Sequence, residues 1–257
     1  DRLAVRLVSG RINVVGADGP ARLEVTRISR FPVHVEHRDG RLAIRHERQR
    51  RWATLLWPLI QSSRRFRTEI SVAVPVGTRL DLDLVSGSVI VTGIGGAADV
   101  DVTSGYVTLM GLGGPVSARV LSGSVEVLGA SGDLTVETVS GEVIIADSSA
   151  GRVDASTVSG AITCDLDNPR DSAIRLGTIS GNVTVRIRED SDLTVRLRTT
   201  SGRITSAFPQ LVPVTGLRAG QSCDGVLGTG LGRLDAIAVS GSVALLSRVV
   251  DDDPVDH

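Results

Sequence analysis

The stretch Leu82-Asp83-Leu84-Val85-Ser86-Gly87-Ser88-Val89-Ile90-Val91-Thr92-Gly93-Ile94-Gly95-Gly96 decides the fold. Leu82 stands four residues before the serine, and Val89 and Val91 stand three and five after it. Period-two alternation of this kind marks strands that bury one face. The segment therefore reads as two short strands joined at Ser86-Gly87. The glycine cluster that follows tolerates φ > 0 and reads as a second corner.

Outward from this stretch, the same phrase recurs. Ser-Gly appears at residues 86, 104, 122, 140, 159, 180, 201 and 240, with steps of 18, 18, 18, 19, 21, 21 and 39 residues, and Ser9-Gly10 starts the pattern at the N-terminus. The residue three after each serine is Val89, Val107, Val125, Val143, Ile162, Val183, Ile204 or Val243. The residue four before is Leu82, Val100, Ala118, Val136, Ala155, Leu176, Leu197 or Ala236. Strand, corner, strand, corner in about 18 residues leaves no room for a crossover helix. The predicted fold is therefore an all-β parallel solenoid, a β-helix or β-roll with coils of about 18–21 residues. Its coils stack at roughly 4.8 Å, so that eight span roughly 38 Å. An antiparallel sandwich also has short, evenly spaced strands, but it has no need of the same dipeptide at one place in every unit. The 39-residue last step reads as one long or irregular coil.

Composition agrees. Hydrophobic residues make up 41% of the 257 but aromatics only 2%, and there are 29 glycines, which suits aliphatic-filled strands and tight turns. The 28 basic residues are all Arg, and with 29 acidic residues the net charge is -1, so no overall field draws the chain to nucleic acid. The absence of Lys fits a GC-rich bacterial source. Cys164 and Cys223 lie in unlike surroundings and read as free thiols. The chain opens at Asp1 without Met, which we read as a trimmed start, so a signal peptide is not assessable. Localisation stays open, leaning to the bacterial cytoplasm or envelope.

The expected domain is a single unit over 1–250. Residues 20–80 break the period, with strand-like runs and a hairpin signal at Asp39-Gly40, and are expected to cover the N-terminal end of the stack. The repeat proper runs over 81–250, with a loop at 207–232 out of one coil, and 251–257 form an acidic tail. Inside the N-terminal region lies an Arg- and Trp-rich insert. Its Arg50, Arg51, Trp52, Leu55, Leu56 and Trp57 read either as a contact with a protein partner or an anionic membrane surface, or as a cap packed on the stack.

The search for chemistry is short. Asp81, Asp83, Asp99 and Asp101 share one outward face in adjacent coils, a weak candidate for Ca²⁺ or for a polysaccharide-acting site. The other reading is a solvated face balanced by Arg119. Further along, Glu137, Arg175, Arg196 and Arg198 suggest a face running from acidic to basic. The histidines show no metal spacing, no Gly-Lys-Ser/Thr loop exists, and Ser-Gly recurs too often to be a nucleophile elbow. No catalytic residues, cofactor or resident metal are expected.

The phrases Ile70-Ser71-Val72-Ala73-Val74-Pro75-Val76-Gly77-Thr78 and Leu82-Asp83-Leu84-Val85-Ser86-Gly87-Ser88-Val89, with the Ser-Gly-x-Val repeats after them, resemble the bacterial putative-adhesin family of β-strand-repeat proteins, a domain of unknown function. The resemblance covers roughly 1–250, except the insert at 48–66. It implies a β-solenoid and brings no active-site residues. The leading expectation is a non-enzymatic adhesin-like scaffold presenting β-ladders to a protein, glycan or envelope surface. The alternatives are a self-assembling β-helical structural protein, which needs uncapped ends, and a polysaccharide-acting enzyme, which needs convergent carboxylates with a basic partner.

Overall fold

The computed structural model describes residues 1–27, 33–38, 40–46, 68–167, 171–216 and 220–248. These residues contain strands and no helix, joined in one mostly parallel, solenoid-like sheet. The central coils follow the sequence repeat. β6 (Arg79–Thr92) and β7 (Ala98–Met110) run through their Ser-Gly corners, whereas later coils break there into pairs: β8 (Val116–Ser122) and β9 (Val125–Leu128), β10 (Leu134–Ser140) and β11 (Val143–Ser148), β12 (Arg152–Ser159) and β13 (Ile162–Leu166), β14 (Ala173–Ser180) and β15 (Val183–Arg188). The corner serines stay in register, with Ser86 beside Ser104, Ser122 beside Ser140, and Ser159 beside Ser180, while β11 and β13 slip between Ile145 and Ser148.

Side chains on both sides of the corner enter one interior. Leu80, Leu82 and Leu84 are buried before Ser86-Gly87, and Val89 and Val91 after it. The inward parity changes from even to odd across the corner, which is what bends the ribbon on itself. The second corner contributes one more inward side chain per coil, Ile94, Leu112 and Ala130. Burying this aliphatic set, at about 1.5–3 kcal/mol for each large side chain, is the main force holding the coils together. Cys164 is one of these inward residues, and burial drives its thiol pKa well above the ordinary value.

The Ser-Gly glycines are fixed by the stack itself. From Gly10 to Gly241 they adopt φ of +137° to +157°. A Cβ on any of Gly87, Gly105, Gly123, Gly141, Gly160, Gly181, Gly202 or Gly241 would lie 1.7–2.0 Å from the carbonyl oxygen of the neighbouring coil's glycine. Only a residue without a side chain lets the corners nest at ladder spacing.

Both ends depart from simple succession. β1 (Arg2–Ala17) pairs in parallel with β6 on one side and with β4 (Arg41–His46) and β5 (Thr68–Pro75) on the other, so the first strand is an inner layer. Antiparallel β3 (Val33–Arg38) and β2 (Arg22–Arg27) close β4 and β5. At the far end, β20 (Gly232–Ser240) and β21 (Val243–Arg248) lie between the coil of β14 and β15 and that of β16 (Leu193–Ser201) and β17 (Ile204–Ser206). The 39-residue step is therefore not one long coil. The stretch 207–232, expected as a loop, holds β18 (Val214–Thr215) and β19 (Gln221–Val226), which cap β16 in antiparallel fashion before the chain turns back into the stack.

Candidate functional site

The residue before each corner Ser-Gly is an apolar position that faces solvent in coil after coil. In spatial order these residues are Val8, Val85, Thr103, Leu121, Val139, Val158, Ile179, Val239 and Thr200. The seven aliphatic members are 38–54% exposed. They form a ridge along the outer edge of the stack, roughly 38 Å long at 4.8 Å per step. Thr103 and Thr200 show that the position accepts a hydroxyl, so the backbone does not require the aliphatic side chains. Exposed apolar surface of this length marks an interaction site more often than scattered single residues do.

Beside the ridge runs a groove of about 760 Å³ across the first five inner coils. Val8, Val85, Thr103, Leu121 and Val139 form one wall, and Arg6, Asp83, Asp101, Arg119 and Glu137 the other, with Leu84, Val102, Val120 and Thr138 beneath. Arg45 and His46 stand at its N-terminal end. The position that gives Leu84, Val102 and Val120 in the first coils becomes Thr157, Thr178 and Thr199 in later ones, whose hydroxyls donate to the corner carbonyls of Gly141, Gly160 and Gly241 at 3.5, 3.2 and 2.7 Å.

The four aspartates stack as the repeat predicts, Asp81 beside Asp99 and Asp83 beside Asp101. Each also has an arginine. Arg2 reaches Asp81 at 2.6 Å, Arg6 reaches Asp83 at 2.7 Å, Arg79 reaches Asp99 at 3.1 Å, and Arg119 lies 3.8 Å from Asp101 and 3.4 Å from Glu137. Arg79 opens β6, the strand of Asp81 and Asp83, so a basic group does accompany them. Desolvation raises the Asp83 pKa. The Arg6 guanidinium opposes this, while Asp81 and Asp101 add to it, and the net effect is upward. Among the described residues, no three His, Cys, Asp or Glu side chains converge as a metal site. Nor does the face run from acidic to basic. Asp235 stands between Arg175 and Arg196 in the ladder, because the last coil is inserted there.

Arg50, Arg51, Trp52, Leu55, Leu56 and Trp57 lie outside the described residues, as do Asp39 and the acidic tail. The ridge was missed by sequence reasoning, although its signal is plain afterwards: Val, Leu, Ile or Thr precedes the Ser-Gly of every corner in the repeat. The parity change at the corner hides it, because simple alternation from Leu84 would not say which way Val85 faces.

A family model, Toastrack DUF4097, matches residues 21–245. Among solved structures, the chain is similar to one from Clostridium sporogenes ATCC 15579 described as a putative cell adhesion protein, at 10% identity over 96% of this chain and 92% of that one. The TM-score is 0.29, and the likeness carries no argument here. No curated protein matches the chain.

Proposed function

Since the chain belongs to the Toastrack DUF4097 family, we propose that it is a non-enzymatic, adhesin-like binding scaffold, and that its ridge and groove receive an amphipathic segment of a protein partner. The observation that carries this reading is the run of exposed aliphatic side chains at a position where threonine also serves. Each of these inner coils is already paired with a coil on either side, so the occupant cannot add as a further strand. It must bring its own apolar side chains to the ridge. The opposite wall alternates in sign along Arg6, Asp83, Asp101, Arg119 and Glu137, which suits a segment of mixed charge. Among the described residues, no Phe, Tyr or Trp, the usual platforms for sugars, lines the groove, which favours a protein over a glycan.

The two alternatives fare less well. Filament growth needs parallel edges at the ends, and antiparallel β2, β3 and β19 cover them. A polysaccharide-acting site needs one carboxyl free to donate a proton and another free to attack or to activate water, whereas each of the four aspartates here lies beside an arginine guanidinium.

The test replaces Val85, Leu121 and Val139 together by Thr, the residue the fold already uses at position 103. The melting temperature should stay unchanged. Retention of amphipathic peptides from a displayed library should fall at least about tenfold. Retention of neutral oligosaccharides, by the parent and lost in the variant, would replace the protein partner by a glycan. Peptide binding untouched by the triple change would end the reading.

A further inference from the structure

Farther along the same face, where the groove's ion pairs give way, lies a second hollow of about 390 Å³. Four guanidiniums line it, those of Arg175, Arg196, Arg198 and Arg233, against two carboxylates, Asp154 and Asp235. Asp235 is taken up by Arg233, whose Nε and Nη2 both donate to it, at 2.5 and 3.3 Å. Arg196 leans toward Asp224 at 3.4 Å. Arg175 and Arg198 are exposed and make no ion pair among the described residues, although Asp154 is the register neighbour of Arg175.

Gly177 also lines the hollow. This glycine differs from those of the corners, because its φ is not positive and a Cβ would meet nothing within 4 Å. Its ladder neighbours are Ser156 and Ile237. A glycine inside a strand weakens it relative to alanine, and here neither backbone geometry nor packing requires it. What it does is leave a gap one side chain deep beneath the arginines. Insertion of the last coil sets their spacing. Arg175 and Arg196 stand on either side of Asp235, two ladder steps apart, and Arg198 stands two residues beyond Arg196 on the same face, roughly 12 Å from Arg175 between backbones. Two long guanidinium side chains can close that span on a single oxyanion.

We infer that this hollow is an oxyanion subsite, taking a carboxylate, sulfate or phosphate group between Arg175 and Arg198 above Gly177. Guanidinium groups recognise all three through paired N–H donors. The subsite deepens the binding-scaffold reading by giving the partner an acidic anchor beyond the groove, but it stands or falls on its own test.

Amide chemical shifts of the intact chain would be followed on adding sodium sulfate, sodium phosphate or sodium acetate at constant ionic strength, with chloride as the reference. Saturable shifts confined to residues 175–177, 196–198 and 233–237 are expected, in the millimolar range. Arg175→Gln and Arg198→Gln should each weaken the binding at least about fivefold. Gly177→Val fills the hollow with a good strand former and should abolish binding while the melting temperature holds or rises. Arg11→Gln, on the other side of the corner, should change nothing. Saturation by sulfate and phosphate alone assigns a tetrahedral group, and saturation by acetate as well extends the subsite to carboxylates. Shifts that never saturate, or that survive Gly177→Val, overturn the inference. Loss of peptide binding in the ridge variant with anion binding intact would leave this subsite untouched, and the reverse would leave the ridge untouched.

Discussion

Gly123 and Gly151 are the same residue under opposite constraints. A Cβ at Gly123 would sit 1.7 Å from the Gly105 carbonyl oxygen, at φ +137°, whereas at Gly151 it would meet nothing within 4 Å. Gly123→Ala therefore combines backbone strain of about 1–3 kcal/mol with overpacking of about 1–3 kcal/mol. Chemical denaturation should show a loss of several kcal/mol for Gly123→Ala and no loss, or a small gain, for Gly151→Ala. Equal effects at the two sites would contradict the nested corners. This level was partly legible in the sequence. Ser-Gly recurs at fixed places, so a corner was expected there. The close approach of stacked corners is a contact between coils, and no single repeat announces it. Asp147 makes the same point: it holds φ +50° where the three preceding coils place Gly93, Gly111 and Gly129.

Between elements, two contacts make stability depend on pH. His46 of β4 accepts the Val8 amide of β1 at Nδ1, at 3.1 Å, and its Nε2 lies 3.3 Å from the Thr68 hydroxyl of β5. The amide donates to Nδ1, so the ring proton sits on Nε2 and faces the threonine oxygen. Protonating Nδ1 sets a donor against a donor. Desolvation lowers the His46 pKa below 6.5 in the folded chain. The unfolded chain thus takes up the proton first, and the contribution is present above pH 6.5 and lost as pH falls through the lower folded value. A second window opens in more acid solution at Asp192, which holds the 229–231 turn. Desolvation there acts to raise its pKa, but hydrogen bonds from the Thr229 hydroxyl and the amides of Leu231, Gly230 and Thr229 outweigh it and keep the carboxylate below 3.8. Its contribution is present above pH 3.8 and lost below. Urea midpoints measured from pH 8 to 5 should fall, and His46→Gln should flatten that slope while leaving the more acidic one. An unchanged slope in His46→Gln would remove His46 as the cause. Neither contact was visible in sequence, because each joins residues brought together only by the end topology. The paired strands of the repeat and the stacked Asp81, Asp83, Asp99 and Asp101 were legible, because period-two alternation and a fixed register place them without further information. Their arginine partners Arg2 and Arg6 were not, since they belong to β1, whose neighbour in space is some 77 residues away.

The whole molecule is a stack whose two terminal segments are inner layers. β1 is held between β6 and the β4–β5 layer, and β20–β21 between two coils formed earlier in the chain. Each end is then sealed by antiparallel strands, so the layers that would fray first are pinned from both sides. This arrangement builds the distal hollow, since Arg175 and Arg196 face each other only across the inserted Asp235. The sequence showed that a stack exists, yet it could not show this order. A Ser-Gly at 240 after one at 201 reads equally as the next coil or as one threaded back, because both satisfy the same alternation.

The most direct test of the account is therefore cysteine cross-linking at the exposed corner serines. Register neighbours in adjacent coils stand roughly 4.8 Å apart, inside the Cα range of about 4.4–6.8 Å that a disulfide spans. Ser180 is beside Ser240, and Ser240 beside Ser201. Under mild oxidation, Ser180→Cys with Ser240→Cys and Ser201→Cys with Ser240→Cys should both form intramolecular disulfides, while Ser180→Cys with Ser201→Cys, two layers apart, should not. Ready cross-linking of the 180–201 pair, with none to 240, would mean that the coils stack in chain order and that the face described here does not exist in this form.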